Sequence, residues 1–174
     1  MTQSVELLLD EELDAAVRRE WAALLAAELL SQGRHPGETN RPHVTLTIAD
    51  SVLPYLETAL KAELTGQLPV PVRLGGLLIF AGRGGRHVLS RSVIVNTELL
   101  DLQDSCAALF EGLPGTSDRL RPGSWSPHVT LARNLTADAV GTAISALGDF
   151  AELAGTGVAV RRWDSERQTA WRVG

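Results

Sequence analysis

A single cysteine, Cys106, stands in 174 residues. It excludes an intrachain disulfide and fits a reducing compartment. No apolar run approaches the roughly 20 residues that cross a bilayer. The most apolar stretch, WAALLAAELL (21–30), follows the acidic DEELDAAVRRE (10–20), which suits a helix start and not a basic secretory leader. The cytoplasm is therefore the expected location. Positive charge is in deficit, with 16 Lys and Arg against 21 Asp and Glu, a net charge of −5. That excludes a protein gripping long duplex nucleic acid through many phosphates. It leaves room for a small phosphorylated substrate held by a few arginines. No Cys or carboxylate cluster accompanies the histidines at the spacing of metal ligands. GRGGR (82–86) has no phosphate-loop fingerprint and suits a hairpin turn. The remaining composition, 44% hydrophobic and 21% charged, is that of an ordinary domain. One domain over 1–174 can bury roughly 70% of its unfolded surface without a staple.

Hydrophobic periodicity predicts the elements. SVELLLD (4–10) is a short, apolar, buried strand. The next segment places Leu13, Val17, Trp21, Leu24 and Leu25 on one helical face, with Asp10 as N-cap. QGRHPGETNRP is a loop, HVTLTIA (43–49) a strand, and Val52, Leu56, Leu60 and Leu64 form a helical stripe. Residues 68–82 are extended, with a bulge or break at Gly75-Gly76. The cycle then restarts: a strand over 86–98, a helix with Leu99, Leu102, Cys106 and Leu109 in line, a loop, and the strand HVTLAR (128–133). A helix capped by Thr136 follows, with Val140, Ile144 and Leu147 inward. Two strands joined by a turn at 164–167 close the chain. The order strand, helix, loop, strand, helix, strand is thus run twice.

The pentapeptide PHVTL marks the repeat, at 42–46 and again at 127–131, so that His43 and His128 lie 85 residues apart. Side chains alternate along a strand, so His43 and Thr45 share one face and Val44 and Leu46 the other, as do their counterparts. The Val/Leu face builds core. The His/Thr faces, brought together across a cleft, would gather two imidazoles and two hydroxyls. Imidazole titrates near pH ~6.5, so one ring can hold a proton while the other does not. In-line displacement at a phosphodiester needs such a base and acid, each contributing about 10²–10⁴-fold. Hydroxyls can hold the non-bridging oxygens.

Two His-x-Thr motifs, each followed by an apolar residue, in a doubled α+β chain resemble the 2H phosphoesterase superfamily. LLLDEELDAAVRREWAALLA, RPHVTL and SPHVTLAR are similar to its bacterial 2'-5' RNA ligase and cyclic phosphodiesterase branch. The resemblance implies a bilobal, internally duplicated α+β fold with pseudo-repeats 1–84 and 85–174. It has two antiparallel-rich sheets, outer helices and a central cleft. It implies hydrolysis of 2',3'-cyclic phosphates to 2'-phosphates, or making and breaking of 2'-5' linkages, without metal or cofactor. Carried over, His43 and His128 are the acid–base pair, with His128 the base and His43 the acid by analogy, and Thr45 and Thr130 are the phosphate clamps. Arg133 matches an arginine that follows the second motif in this branch. Strict alternation would turn it away from His128, so a bend or the strand end must re-aim it. Trp125 is a candidate base-stacking residue or a hydrophobic plug. The expected partner is a small RNA or nucleotide with a cyclic phosphate or 2'-5' linkage, bound by a monomer with no membrane contact. Two alternatives remain: a binding module using the same cleft for an RNA end or phosphonucleotide, and a non-RNA cyclic phosphate such as that of ADP-ribose. Cys106 is expected in the core, His35 and His87 at surface or edge, and Arg91 at the surface.

Overall fold

The computed structural model describes residues 2–173. The strands are β1 (Gln3–Leu9), β2 (His43–Ala49), β3 (Val70–Ala81), β4 (His87–Ile94), β5 (His128–Leu135), β6 (Leu153–Asp164) and β7 (Thr169–Arg172). The helices are α1 (Glu11–Ala26), α2 (Pro54–Glu63), α3 (Thr97–Leu109) and α4 (Ala137–Leu147). All strand pairs are antiparallel. They run β2-β1-β6-β3-β4-β5, with β7 added beside β6. The ladder curls until its end strands, β2 and β5, meet. Among the described residues no helix is long and apolar enough to cross a membrane.

The two lobes do not coincide with the two halves of the chain. One lobe is β2-β1-β6 and the other β3-β4-β5. Each takes two strands from one half and its third from the other. β3 and β6 are the two longest strands. They pair with each other over Val70–Leu74 and Leu153–Gly157, which fuses the two lobes into one continuous ladder.

Local signals set the elements. Asp10 Oδ1 accepts the Leu13 amide at 2.8 Å and caps α1. Its Oδ2 accepts the Thr156 amide and hydroxyl, tying the helix start to β6. Thr136 caps α4 through Ala139. The register of β3 on β4 shifts between Leu74 and Leu77, where Gly75-Gly76 predicted a bulge or break. In α4 the sequence stripe is only partly right. Val140 and Ala143 are buried, whereas Ile144 is exposed. The buried stripe of α4 is therefore centred on Val140 and Ala143, one step round the helix from Ile144. Cys106 is fully buried, and burial, aided by Glu63, pushes its thiol up to about 12, so it is inert core.

Candidate active site

The cleft face follows from cross-strand register, because directly opposed residues share a side. His43 opposes Leu8, and Thr45 opposes Glu6. Glu6 in turn opposes Arg161 on β6. In the other lobe His128 opposes Ser92 and Thr130 opposes Ser90. Val44, Leu46, Val129 and Leu131 are fully buried in the core, as the alternation requires. Both His/Thr pairs are half-buried.

Each lobe breaks register at the leucine of PHVTL. Val5 pairs with Thr47 and Glu6 with Thr45, so Leu46 is the extra residue. Leu89 pairs with Ala132 and Ser90 with Thr130, so Leu131 is the extra residue. Such a bulge reverses the in–out parity of the residues that follow it, in β5 as far as a second register shift between Ala132 and Leu135. Leu131 and Ala132 are therefore buried in succession and Arg133 is exposed. The bulge is the bend that Arg133 needs to rejoin the histidine face. There its Nη2 lies 3.5 Å from Thr130 Oγ1. At the corresponding place on β2 stands Ile48, so only one lobe carries the arginine.

The two imidazoles are oriented alike. His43 Nδ1 lies 2.7 Å from the Arg41 carbonyl oxygen, and His128 Nδ1 lies 2.8 Å from that of Ser126. A carbonyl oxygen can only accept, so Nδ1 carries the hydrogen on both rings. Nε2 is left to take or give a proton. Pro42 and Pro127, lying between each histidine and its carbonyl, immediately precede the two strands at the same point.

The surroundings of the two rings differ. His43 Nε2 lies 3.5 Å from Glu6 Oε1. Burial alone would raise the Glu6 carboxyl. His43, Arg161 and the Ser4 hydroxyl together outweigh it and hold that carboxyl below its ordinary value. Glu6 is only 3% exposed. His128 instead leans on Phe80, with ring centroids 4.6 Å apart. Burial, then repulsion from Arg133 and His43, pushes it below the ordinary histidine value against the opposing Ser126 bond.

Two indoles cross that gap in opposite directions. Trp21 on α1 donates its Nε1–H to the Thr130 carbonyl at 3.0 Å. Trp125, half-buried before β5, donates to the Thr45 carbonyl at 3.1 Å. Each motif threonine is thus held by a tryptophan from the other half of the chain. Arg91 is neither at the surface nor in the cleft. It is 1% exposed, faces Glu20 at 3.1 Å and donates to the Gly75, Phe150 and Ala151 carbonyls.

Glu6, Arg161 and Trp21 were not singled out from sequence as site residues. For Glu6 a signal existed. An acidic residue inside SVELLLD, two positions from Ser4, places a polar pair on one face of a buried strand, and Glu is almost never buried without a partner.

The sequence model of the 2'-5' RNA ligase superfamily matches residues 11–168. The chain belongs to that superfamily. Its fold is shared with Kluyveromyces marxianus Usb1, at TM-score 0.54 and 13% identity over 99% of this chain and 97% of that one. TT0787 of Thermus thermophilus superposes at 0.61 and 19% identity, over 100% and 96%. E. coli LigT, solved as a complex with 3'-AMP, superposes at 0.54 and 17% identity, over 98% and 91%. No curated protein matches the chain in sequence. Membership of the 2'-5' RNA ligase superfamily places the chain among phosphoesterases of the RNA-processing kind.

Proposed function

We propose that the protein is a two-histidine phosphodiesterase acting on 2',3'-cyclic phosphates, or on 2'-5' linkages, of RNA or nucleotides. The observation that carries this is the matched pair of Nδ1 tethers, which commits both Nδ1 atoms to backbone carbonyls and leaves both Nε2 atoms for proton transfer beside two threonine hydroxyls. In hydrolysis of a cyclic phosphate, His128 Nε2 takes a proton from water as its oxygen attacks phosphorus. The P–O3' bond breaks, and His43 Nε2–H protonates the departing O3', leaving a 2'-phosphate. Thr45, Thr130 and Arg133 hold the non-bridging oxygens as charge grows on them. The asymmetry of the surroundings supports this order. A proton on His43 faces the Glu6 carboxylate, whereas one on His128 faces a guanidinium. The reverse reaction exchanges the roles. Trp125 packs partly against the core, and its remaining exposure is where a nucleobase would stack.

Relatives crystallised with 3'-AMP and uridine monophosphate support a nucleotide ligand. The experiment is incubation with 2',3'-cyclic nucleotides in EDTA and chromatographic identification of the product isomer. Wild type is expected to yield the 2'-phosphate. His43→Ala and His128→Ala are each expected to lose at least about 10²-fold in turnover with unchanged circular dichroism. A single-histidine variant with full activity would falsify the mechanism. If wild type binds such nucleotides without converting them, the cleft is a binding module.

A further inference from the structure

Ser4, Ser31 and Ser90 are the buried serines among the described residues. Ser4 donates to Glu6, and Ser31 donates to the Trp21 carbonyl. Ser90 is fully buried, and its Oγ has no hydrogen-bond partner among the described residues. A buried hydroxyl without a partner leaves a fold less stable than an apolar group of the same shape would. Such a group calls for a reason, and its place in the sheet supplies one.

Ser90 stands opposite Thr130 on β5 and opposite Leu78 on β3, so it shares the cleft face. In the other lobe the place opposite Thr45 belongs to Glu6. Each motif threonine thus has a buried polar residue beside it on the adjoining strand. Glu6 is engaged by Arg161 and Ser4. Ser90 has a leucine on its far side instead. Its neighbours along the same face of β4 are Val88 and Ser92, and the Ser92 hydroxyl already donates to the Gly76 carbonyl at 3.0 Å. Thr130 is therefore the polar side chain set against Ser90. Phe80 opposes Val88, and His128 opposes Ser92. To bring their centroids within 4.6 Å, the two rings must span β4, and they close over Ser90. That cover accounts for its burial and keeps the substrate from touching it. Packing beneath the rings needs only a small side chain, which alanine would supply without an orphaned hydroxyl.

We propose that Ser90 is a positioning residue for the phosphate clamp: its hydroxyl donates to Thr130 Oγ1 when substrate is bound, and so turns the Thr130 proton onto a non-bridging phosphate oxygen. The inference rests on the phosphate-clamp reading of Thr130. A hydroxyl has one proton to give and two lone pairs that accept. In the free protein Thr130 Oγ1 has only the long contact of 3.5 Å from Arg133 Nη2, and its own proton has no acceptor among the described residues. A bound phosphate draws Arg133 and accepts the Thr130 proton. Thr130 Oγ1 then becomes the better acceptor, and Ser90 is the donor beside it. The two hydroxyls in series polarise one another as charge grows on the phosphate.

The test measures thermal unfolding and steady-state turnover of a 2',3'-cyclic nucleotide for Ser90→Ala, Thr130→Val and the double variant. Ser90→Ala is expected to unfold at the wild-type temperature or above it, because the orphaned hydroxyl is gone. It is expected to lose about three- to ten-fold in kcat/KM, the size of one hydrogen bond. A lower unfolding temperature means that the hydroxyl has a partner in the free protein, and overturns the proposal whatever the turnover. Full turnover overturns it too. In the Thr130→Val background Ser90→Ala is expected to cost nothing further, since Ser90 acts through the Thr130 hydroxyl. The same loss in both backgrounds removes Thr130 from the argument and overturns the assignment. If wild type converts no cyclic nucleotide, that failure belongs to the catalytic reading, and Ser90 is judged by binding of inorganic phosphate, followed by phosphorus NMR. Ser90→Ala is then expected to weaken binding about three- to ten-fold with threonine at 130 and not with valine there. Unchanged affinity, or a wild type that binds no phosphate, overturns it.

Discussion

Glu6 is the residue on which the chemistry of the cleft and the stability of the fold meet. Its carboxylate is bound by Arg161 on one oxygen and approached by His43 and Ser4 on the other. Glu6→Gln removes the charge and leaves Arg161 buried without a counter-ion, a loss of about 3–5 kcal/mol for a broken buried pair. The folded-state value of Glu6 is depressed. Its contribution is therefore present above the ordinary carboxylate value, 4.5, and is lost as pH falls through the lower folded value. Urea unfolding of wild type and Glu6→Gln between pH 7 and pH 3 should show a stability gap that narrows below pH 4.5. Taking the difference cancels Asp10 and Asp164, whose values are also lowered. A gap constant with pH would remove Glu6 from this role. The motif residues themselves were legible in the sequence because strand alternation is local: His43, Thr45, His128 and Thr130 needed only period two. The Glu6–Arg161 pair was not, because it joins residues 155 apart in the chain and no local pattern announces which strands will be neighbours.

At the scale of elements, the leucine that ends each PHVTL is the bulge residue of its strand, and that explains part of why the pentapeptide recurs. The bulge turns Arg133 onto the cleft face in one lobe and Ile48 in the other. Element identity and order were readable, since each strand and helix carries its own hydrophobic period and α1 and α4 carry side-chain caps as well. The parity change was not readable, because a bulge is decided by the partner strand's register. The face of α4 that is buried was hidden for a similar reason: Ala143 looks neutral in sequence, and which side of the helix meets the sheet is set by the other elements. The indole struts are the matching inter-element device. Trp125→Phe keeps most of the apolar packing and deletes one N–H, leaving the Thr45 carbonyl without that donor, and Trp21→Phe does the same for Thr130. Each is expected to cost about 1–3 kcal/mol and to lower kcat several-fold by loosening one threonine. The double variant is expected to depart from additivity because both struts close the same gap. Thermal unfolding with steady-state kinetics decides it. Single variants with wild-type stability and kcat would show that the gap is held by packing alone.

For the whole molecule, we infer that residues 1–84 and 85–174 are repeats of one plan that have exchanged their third strands. β6, from the second half, lies between β1 and β3 of the first. β3 returns the exchange by pairing with β4. Gly157 marks how tightly β6 is inserted, since a Cβ there would come within 2.6 Å of Leu7. Neither half can then complete a lobe alone. Without β6, residues 1–84 leave facing edges of β1 and β3 unpaired and apolar. Without β3, residues 85–174 leave β4 open. Exposed edges of this kind favour association or disorder over a stable fold. The turn at 83–85 that joins the halves, with Gly84 and Gly85 both at positive φ, is exposed and suits a cut. Fragments 1–84 and 85–174 expressed separately are expected to show no cooperative unfolding. Mixed at equal concentration, they are expected to regain the β-sheet circular dichroism and the proposed phosphodiesterase activity together. A first fragment that unfolded cooperatively by itself would mean that the exchange is dispensable. The active site would then belong to two separable lobes and not to their interlock.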